Sequence, residues 1–283
     1  FRTNLGSAWR TPNMAELYSF GQHGFKVTYG LLRYRFNEDG DIRADRVLTL
    51  EQSNVEPERG FKWINEYRAR VDKSTHTATF YVNYIENFVY EAPLGVLGTF
   101  RGPMPAFVYR QNDALFIGLD YNWEEEWTPG ISGIFGISYL WSQNVEKNET
   151  LINQPPISTS YKLTWTKRNF WIFDESKFSI RPSYTFEQFQ APRTISPSEL
   201  ADGTEEITLD SEIFDFADAP QGYFLVDLSL NLKWQDFTLT VAINNVYNIS
   251  YRDYLKDMRY IADEPGRNFH FPLNYTFTGK ENR

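Results

Sequence analysis

The 283 residues contain no cysteine. Disulfides, thiolate metal sites and cysteine nucleophiles are therefore excluded. Apolar runs are short, and none approaches the ~20 residues of a membrane helix. That excludes a helical membrane protein, but not a membrane barrel, whose strands are only half apolar. Positive charge is scarce: 28 Lys and Arg against 37 Asp and Glu give a net charge of −9. Nucleic acid is thus not an expected partner. No amphipathic helical periodicity is visible. His-Glu-x-x-His, Gly-x-Ser-x-Gly, phosphate-loop and EF-hand spacings are all missing, so no enzyme, cofactor or metal site is expected. The opening "FRTNLGSAWR" lacks the pattern of a secretion signal and reads as mid-strand, so the chain is expected to be part of a longer one.

Aromatic residues and strict alternation are abundant instead. There are 23 Phe, 18 Tyr and 8 Trp, in a chain of mean hydropathy −0.50. In "GYFLVDLSLNLKWQDFTLTVAINN", Phe224, Val226, Leu228, Leu230, Leu232 and Trp234 are of one parity, and Asp227, Ser229, Asn231 and Lys233 of the other. After Gln235-Asp236 the pattern restarts with Phe237, Leu239, Val241 and Ile243. Side chains on a strand alternate between faces, so this is a hairpin with one apolar and one polar face. Similar stripes run through Phe61–Val71, Ala78–Tyr84, Leu115–Trp123, Ile131–Trp141, Tyr161–Trp165, Phe178–Phe186 and Phe269–Phe277. With Phe1–Trp9 they make roughly ten strands. Many stripes end in Trp or Tyr, as at a lipid interface.

The connections alternate as well. Short links fall at Asp72–Thr75, Thr128–Gly130, Phe170–Ser176 and Gln235-Asp236. Long ones fall at Arg10–Pro57, Ala92–Pro105, Lys147–Pro156, Ala191–Gln221 and Ser250–Arg267. Outer-membrane barrels have short periplasmic turns and long extracellular loops. A soluble β-sandwich is the competing architecture, since its sheets bury one face against each other. Alternating link length and aromatic stripe ends favour the barrel.

Two motif sets sharpen this. The first long link opens with Trp9, Arg10, Pro12, Glu16, Leu17 and Tyr18 and closes on Asn54, Pro57 and Glu58. The far end carries "INNVYNISYRDYL" (Ile243–Leu255), then "PGRNF" (Pro265–Phe269), then an alternating stretch to Phe277. In this order the motifs resemble the barrel of TonB-dependent outer-membrane receptors, over essentially the whole chain. The resemblance implies an all-β fold, an antiparallel transmembrane β-barrel of about 22 strands. This chain would supply about the last ten, residues 1–283 forming part of that one domain, with the plug domain outside it. The resemblance also implies a Gram-negative outer-membrane location among lipid and lipopolysaccharide, and a TonB-type energy-coupling partner acting through the plug. A scarce small-molecule ligand would be imported, an iron chelate (siderophore) or haem first. The alternative is a receptor-like barrel serving as a structural subunit and holding outer-membrane partner proteins.

Ligand contacts are expected from His23, Tyr18 and Tyr29 in the first long link, from Arg10 at its start, and from Tyr251 and Arg252 in the last. For Arg10, pairing with Glu16, and for Tyr251 and Arg252, loop anchoring, are competing roles. His23 can equally be a solvated loop residue. His76 and His270 fall on the lumen-facing or turn side of strands, as structural residues. Glu199, Asp202, Glu205, Glu206, Asp210, Glu212, Asp215 and Asp218 crowd the fourth long link, against Arg193. That charge disfavours strongly anionic ligands there.

Overall fold

The structure is a computed structural model that describes all residues except 38–41, 101, 202, 204–206, 208–210 and 278–283. Its main sheet is one antiparallel path, followed here in chain order. The strands are β1 (Arg2–Arg10), β2 (Glu58–Val71), β3 (Ser74–Thr99), β4 (Gly102–Thr128) and β5 (Ile131–Asn144). They continue with β6 (Ser158–Phe170), β7 (Phe173–Thr185), β8 (Tyr223–Trp234) and β9 (Phe237–Asn244). The last stave comes in two pieces, β10 (Asn268–His270) and β11 (Leu273–Tyr275), both paired with β9. Each strand lies beside its sequence neighbour, the plan of an up-and-down barrel wall.

The register joins the separate stripes into one face. Leu5 pairs with Trp63, Trp63 with Val82, Val82 with Ile117, and Ile117 with Trp141. Farther along, Trp165 pairs with Phe178, Phe178 with Leu230, and Leu230 with Val241. Among the described residues no protein layer covers this face: Leu5 is 79% exposed, Trp165 54% and Leu273 65%. The opposite face carries rows such as Lys62, Asn83, Phe116 and Ser142, and Thr164, Ser179, Ser229 and Ala242. There Thr164 Oγ1 lies 3.0 Å from Ser179 Oγ, and Thr240 Oγ1 donates to Asn231 Oδ1 at 2.6 Å. Gly118 belongs to this face because Tyr81 lies across it: a Cβ would sit 2.0 Å from the Tyr81 ring.

Three expectations change. Ala92–Pro105 is not an irregular link: β3 and β4 stay paired out to Thr99 and Gly102, with register shifts between Ile85 and Phe88 and between Pro93 and Gly95. At about 3.3 Å per residue these strands are far longer than the 9–11 residues that cross a bilayer, so the hairpin projects beyond the wall. His76 is close to a turn, but its pairing with Ala69 and Trp123 puts it on the apolar face. There it stacks on Trp123, and its Nδ1 lies 2.8 Å from Tyr121 Oη. Two five-residue helices also interrupt the long links, Met14–Tyr18 and Pro197–Ala201.

Buried apolar residues gather mainly at the long-link end. One cluster joins Phe107 of β4 to Ile152, Ile195, Phe214 and Phe216 from two links. A second joins Ala114, Phe116 and Leu151 at the rim. The links therefore pack into a common layer over one end of the sheet.

Candidate functional site

The first long link is pinned where its two motifs meet. Asn13 caps the Met14–Tyr18 helix, accepting from Ala15 N and Glu16 N, and Glu16 reaches back to Asn13 N at 2.7 Å. This capping box fixes the Glu16 carboxylate. Arg10 then donates to both Glu16 oxygens at 2.8 and 3.0 Å. Its other edge meets Glu58, with Nε 2.5 Å from Oε2. Glu58 is buried and also accepts from Val89 N at 2.7 Å. Arg10, Glu16 and Glu58 are thus one clamp closing the base of a long excursion. Forked Arg–carboxylate pairing of this kind is both strong and directional. The guanidinium Arg10 would offer a ligand is already engaged.

Above the clamp, Phe20–His23 and Lys26–Tyr29 form a small hairpin, whose second strand runs parallel to Ala106–Val108 of β4. His23 is exposed at its tip, and Tyr18 is 43% exposed. Tyr29 packs edge-on against Phe20 at 5.5 Å and lines an aliphatic cavity of about 530 Å³ with Leu94, Val96, Leu97, Ala106 and Leu200. Lys26 ties the hairpin down, 2.5 Å from Glu91 and 3.0 Å from Asp257. Burial alone would lower its pKa, but the two carboxylates outweigh it and raise it.

The last long link is fastened from within and from without. Arg252 donates to Asp263 at 2.8 Å and to the Arg259 carbonyl at 2.7 Å. Arg252 and the Ser250 hydroxyl hold the Asp263 carboxyl below its ordinary range. Tyr251 packs on Tyr223 with ring centroids 4.3 Å apart. Both candidates therefore have anchoring contacts. At the base of this link, Asn245 exchanges hydrogen bonds with Ile249, and Asn248 Oδ1 accepts from Arg267 N at 2.8 Å.

A short 3-10 turn, Asp257–Tyr260, carries the outward fastening. Arg259 lies 2.5 Å from Asp215, and both side chains are only 1% exposed. Tyr260 donates to Asp215 Oδ1 at 2.8 Å. The Arg259 guanidinium also sits over the Tyr254 and Tyr260 rings at 4.4 Å. Burial raises the Tyr260 phenol, and the Asp215 charge raises it further. Asp215 was expected to be one of a crowd of repelling surface acids. It is instead the anion of a buried pair. Of its neighbours, Asp218 accepts from Thr194 and Glu199 accepts from Ser196 N, while Asp202, Glu205, Glu206 and Asp210 lie outside the described residues.

Sequence reasoning missed a second cavity, of about 460 Å³, lined by Tyr34, Phe36, Gln52, Asn54, Arg110, Asn112 and Lys147. Arg110 lies on β4 at the same parity as Ala114 and Phe116, the face opposite the apolar wall. Its guanidinium stands 5.9 Å from the Phe36 ring, and its Nε is buried without a hydrogen-bond partner. Tyr34 donates to the Tyr109 carbonyl at 2.6 Å, and burial pushes its phenol up to about 12. A cation with free donors, an aromatic face and amide side chains around one hollow can hold an anionic, polar ligand. The signal was weak in sequence because Tyr34, Phe36 and Arg110 come from segments some 75 residues apart.

Among solved structures, the fold is similar to the copper transporter OprC, with TM-score 0.66 and 17% identity over 97% of this chain and 36% of that one. It is also similar to the siderophore receptor PirA from Acinetobacter baumannii (TM-score 0.60, 13% identity, 97% and 38% covered). A mutant of the ferric enterobactin receptor PfeA from Pseudomonas aeruginosa gives TM-score 0.59 and 14% identity, with the same coverage. The chain thus spans well under half the length of each of these proteins. No curated protein matches the sequence. The family model for the TonB-dependent receptor-like β-barrel matches residues 1–246, and the chain belongs to that family of outer-membrane barrels.

Proposed function

We propose that this chain is about the last ten staves of a receptor barrel of about 22, the remaining staves and the plug lying outside these residues. The receptor imports a scarce ligand, an iron chelate or haem, and a TonB-type protein drives release through the plug. No covalent step is involved. The mouth cavity under Phe36 and Arg110 carries this reading. It lies on the face opposite the lipid, at the long-link end, and offers a cation that makes no ion pair among the described residues. His23, Tyr18 and Tyr29 stand at the neighbouring rim as further contacts. Arg10, Tyr251 and Arg252 hold the links that shape it. Similarity to a siderophore receptor and a ferric enterobactin receptor supports an iron chelate as cargo.

The test is uptake of radioactive iron by cells whose only chelate receptor is the full-length protein. Ferric hydroxamate, ferric catecholate and haem are supplied separately, with and without the energy-coupling protein. At least one should be taken up in an energy-dependent way. Arg110→Ala should weaken its binding about tenfold or more, the loss of a charge-assisted contact of roughly 1.5–3 kcal/mol. Failure of all three cargoes to enter would refute the iron assignment.

A further inference from the structure

Along the projecting parts of β3 and β4, the polar side chains beside Arg110 are engaged with one another. Tyr90 stands directly opposite Arg110 in the register. Its hydroxyl donates to Asn112 Oδ1 at 2.8 Å and accepts from Asn144 Nδ2 at 3.1 Å. Asn112 Nδ2 donates in turn to Glu146 at 2.8 Å. Tyr34 gives its proton to the Tyr109 carbonyl. Two buried atoms in the same hollow are left without a partner, Arg110 Nε and Ser53 Oγ. An unmade hydrogen bond at a buried donor is costly, so both atoms call for an acceptor.

Charge narrows what that acceptor can be. Burial pushes the phenols of Tyr34 and Tyr90 up to about 12, so both stay neutral. Arg35 lies 3.3 Å from Asp45, and Lys147 has contacts of its own. Arg110 makes no ion pair among the described residues, and no Asp, Glu or His lines the hollow. Its positive charge is therefore unanswered from within. Glu149 and Glu146 raise the Tyr90 phenol as well, which places negative potential behind this side of the hollow and works against a multiply charged anion.

We infer that the hollow takes a single carboxylate, carried by the cargo outside its iron coordination. The inference rests on the receptor reading above and narrows its cargo to chelates with a pendant carboxylate. A planar carboxylate meets the guanidinium fork with two oxygens, and a lone pair remains for the Ser53 hydroxyl. A neutral carbonyl would satisfy the donors but leave the Arg110 charge uncompensated. A triply charged iron tricatecholate would bring more charge than Arg110 neutralises. With no carboxylate or imidazole in the lining, nothing in the hollow competes with the chelator for the metal.

The test uses two matched pairs of iron compounds and the full-length receptor in detergent. One pair is ferrioxamine B with a succinyl or an acetyl group on its free amine. The other is haem and haem dimethyl ester. Within each pair the iron centre is unchanged and the carboxylate is present or absent. Quenching of tryptophan fluorescence reads the dissociation constants. For whichever pair binds, the acid should bind roughly ten- to a hundredfold more tightly than its neutral partner, the worth of one charge-assisted contact. Arg110→Gln should erase that difference, and Arg110→Lys, a charge without the fork, should keep part of it. Equal binding of acid and neutral forms would overturn the inference and leave iron transport standing. So would a ferric tricatecholate bound more tightly than either acid. Binding of none of these compounds would remove the receptor reading itself, and the carboxylate assignment with it.

Discussion

Leu230→Arg probes the claim on which the membrane assignment depends, that one parity of every stave meets lipid. On β8 the apolar stripe runs from Phe224 to Trp234. That is about 36 Å of strand, or about 25 Å of height at a tilt of about 45°, the depth of the apolar band of an outer-membrane barrel. Leu230 lies near the middle of it, between Phe178 and Val241. An arginine there is too deep for its head to reach either interface without cost. It should destabilise the barrel by ~2–4 kcal/mol, a shift of roughly 30- to 700-fold in the folding equilibrium. Ser229, one residue away, faces Ser179 and Ala242 on the polar side. Ser229→Arg meets water and should cost less than about 1 kcal/mol. The assay is urea-dependent folding of the full-length receptor into lipid vesicles, read by the shift of the folded band on unheated gels. Equal losses at the two positions would refute the facing assignment, and the continuous apolar face would need another cover.

Two further outcomes follow from the loop layer. Asp215→Ala leaves the Arg259 guanidinium buried without its anion, a change that costs ~3–5 kcal/mol in comparable sites. Amide exchange should accelerate at Phe214–Phe216 and Asp257–Tyr260 while the staves stay protected, and Arg259→Met in the same chain should recover part of the loss; unchanged exchange would show that the pair does not hold the layer. Gly266→Ala would place a Cβ 2.5 Å from Asn248 Oδ1, displacing the acceptor of Arg267 N at an overpacking cost of ~1–3 kcal/mol. Limited proteolysis should then cut the Asn248–Arg267 link faster, and adding Asn248→Gly should relieve the clash; no change in cutting would count against a packing role for the glycine.

What the sequence disclosed and what it concealed divide along a physical line. The wall was legible because a strand's period of two is local: Phe224 to Trp234 declare their face without reference to any distant residue. Register then had little freedom, since a slip of one residue would turn every such stripe to the wrong side. The Arg10–Glu16 pair was legible for a similar reason, being six residues apart in one motif, but its third member, Glu58, needed the fold. The helix that Asn13 and Glu16 start was not legible, because at five residues it gives no amphipathic period. Ala92–Pro105 read as a loop because Pro93, Gly95, Pro103 and Pro105 are breakers. Pro93 and Gly95 fit the strands because the register shifts between them, where a missing donor is tolerated, while Pro103 and Pro105 lie in register with Gly98 and Val96. Asp215 and Arg259 were opaque for a deeper reason. An acid within an acidic stretch looks solvated until a cation from a link 44 residues away reaches it, and no local pattern records that meeting. The same holds for Arg110 and Phe36. Wall residues answer to a solvent, which is uniform and leaves a period; mouth residues answer to individual partners, which leave none. On the proposed function, cargo specificity belongs to the second kind of residue, and the hollow under Arg110 is where that reading is tested first.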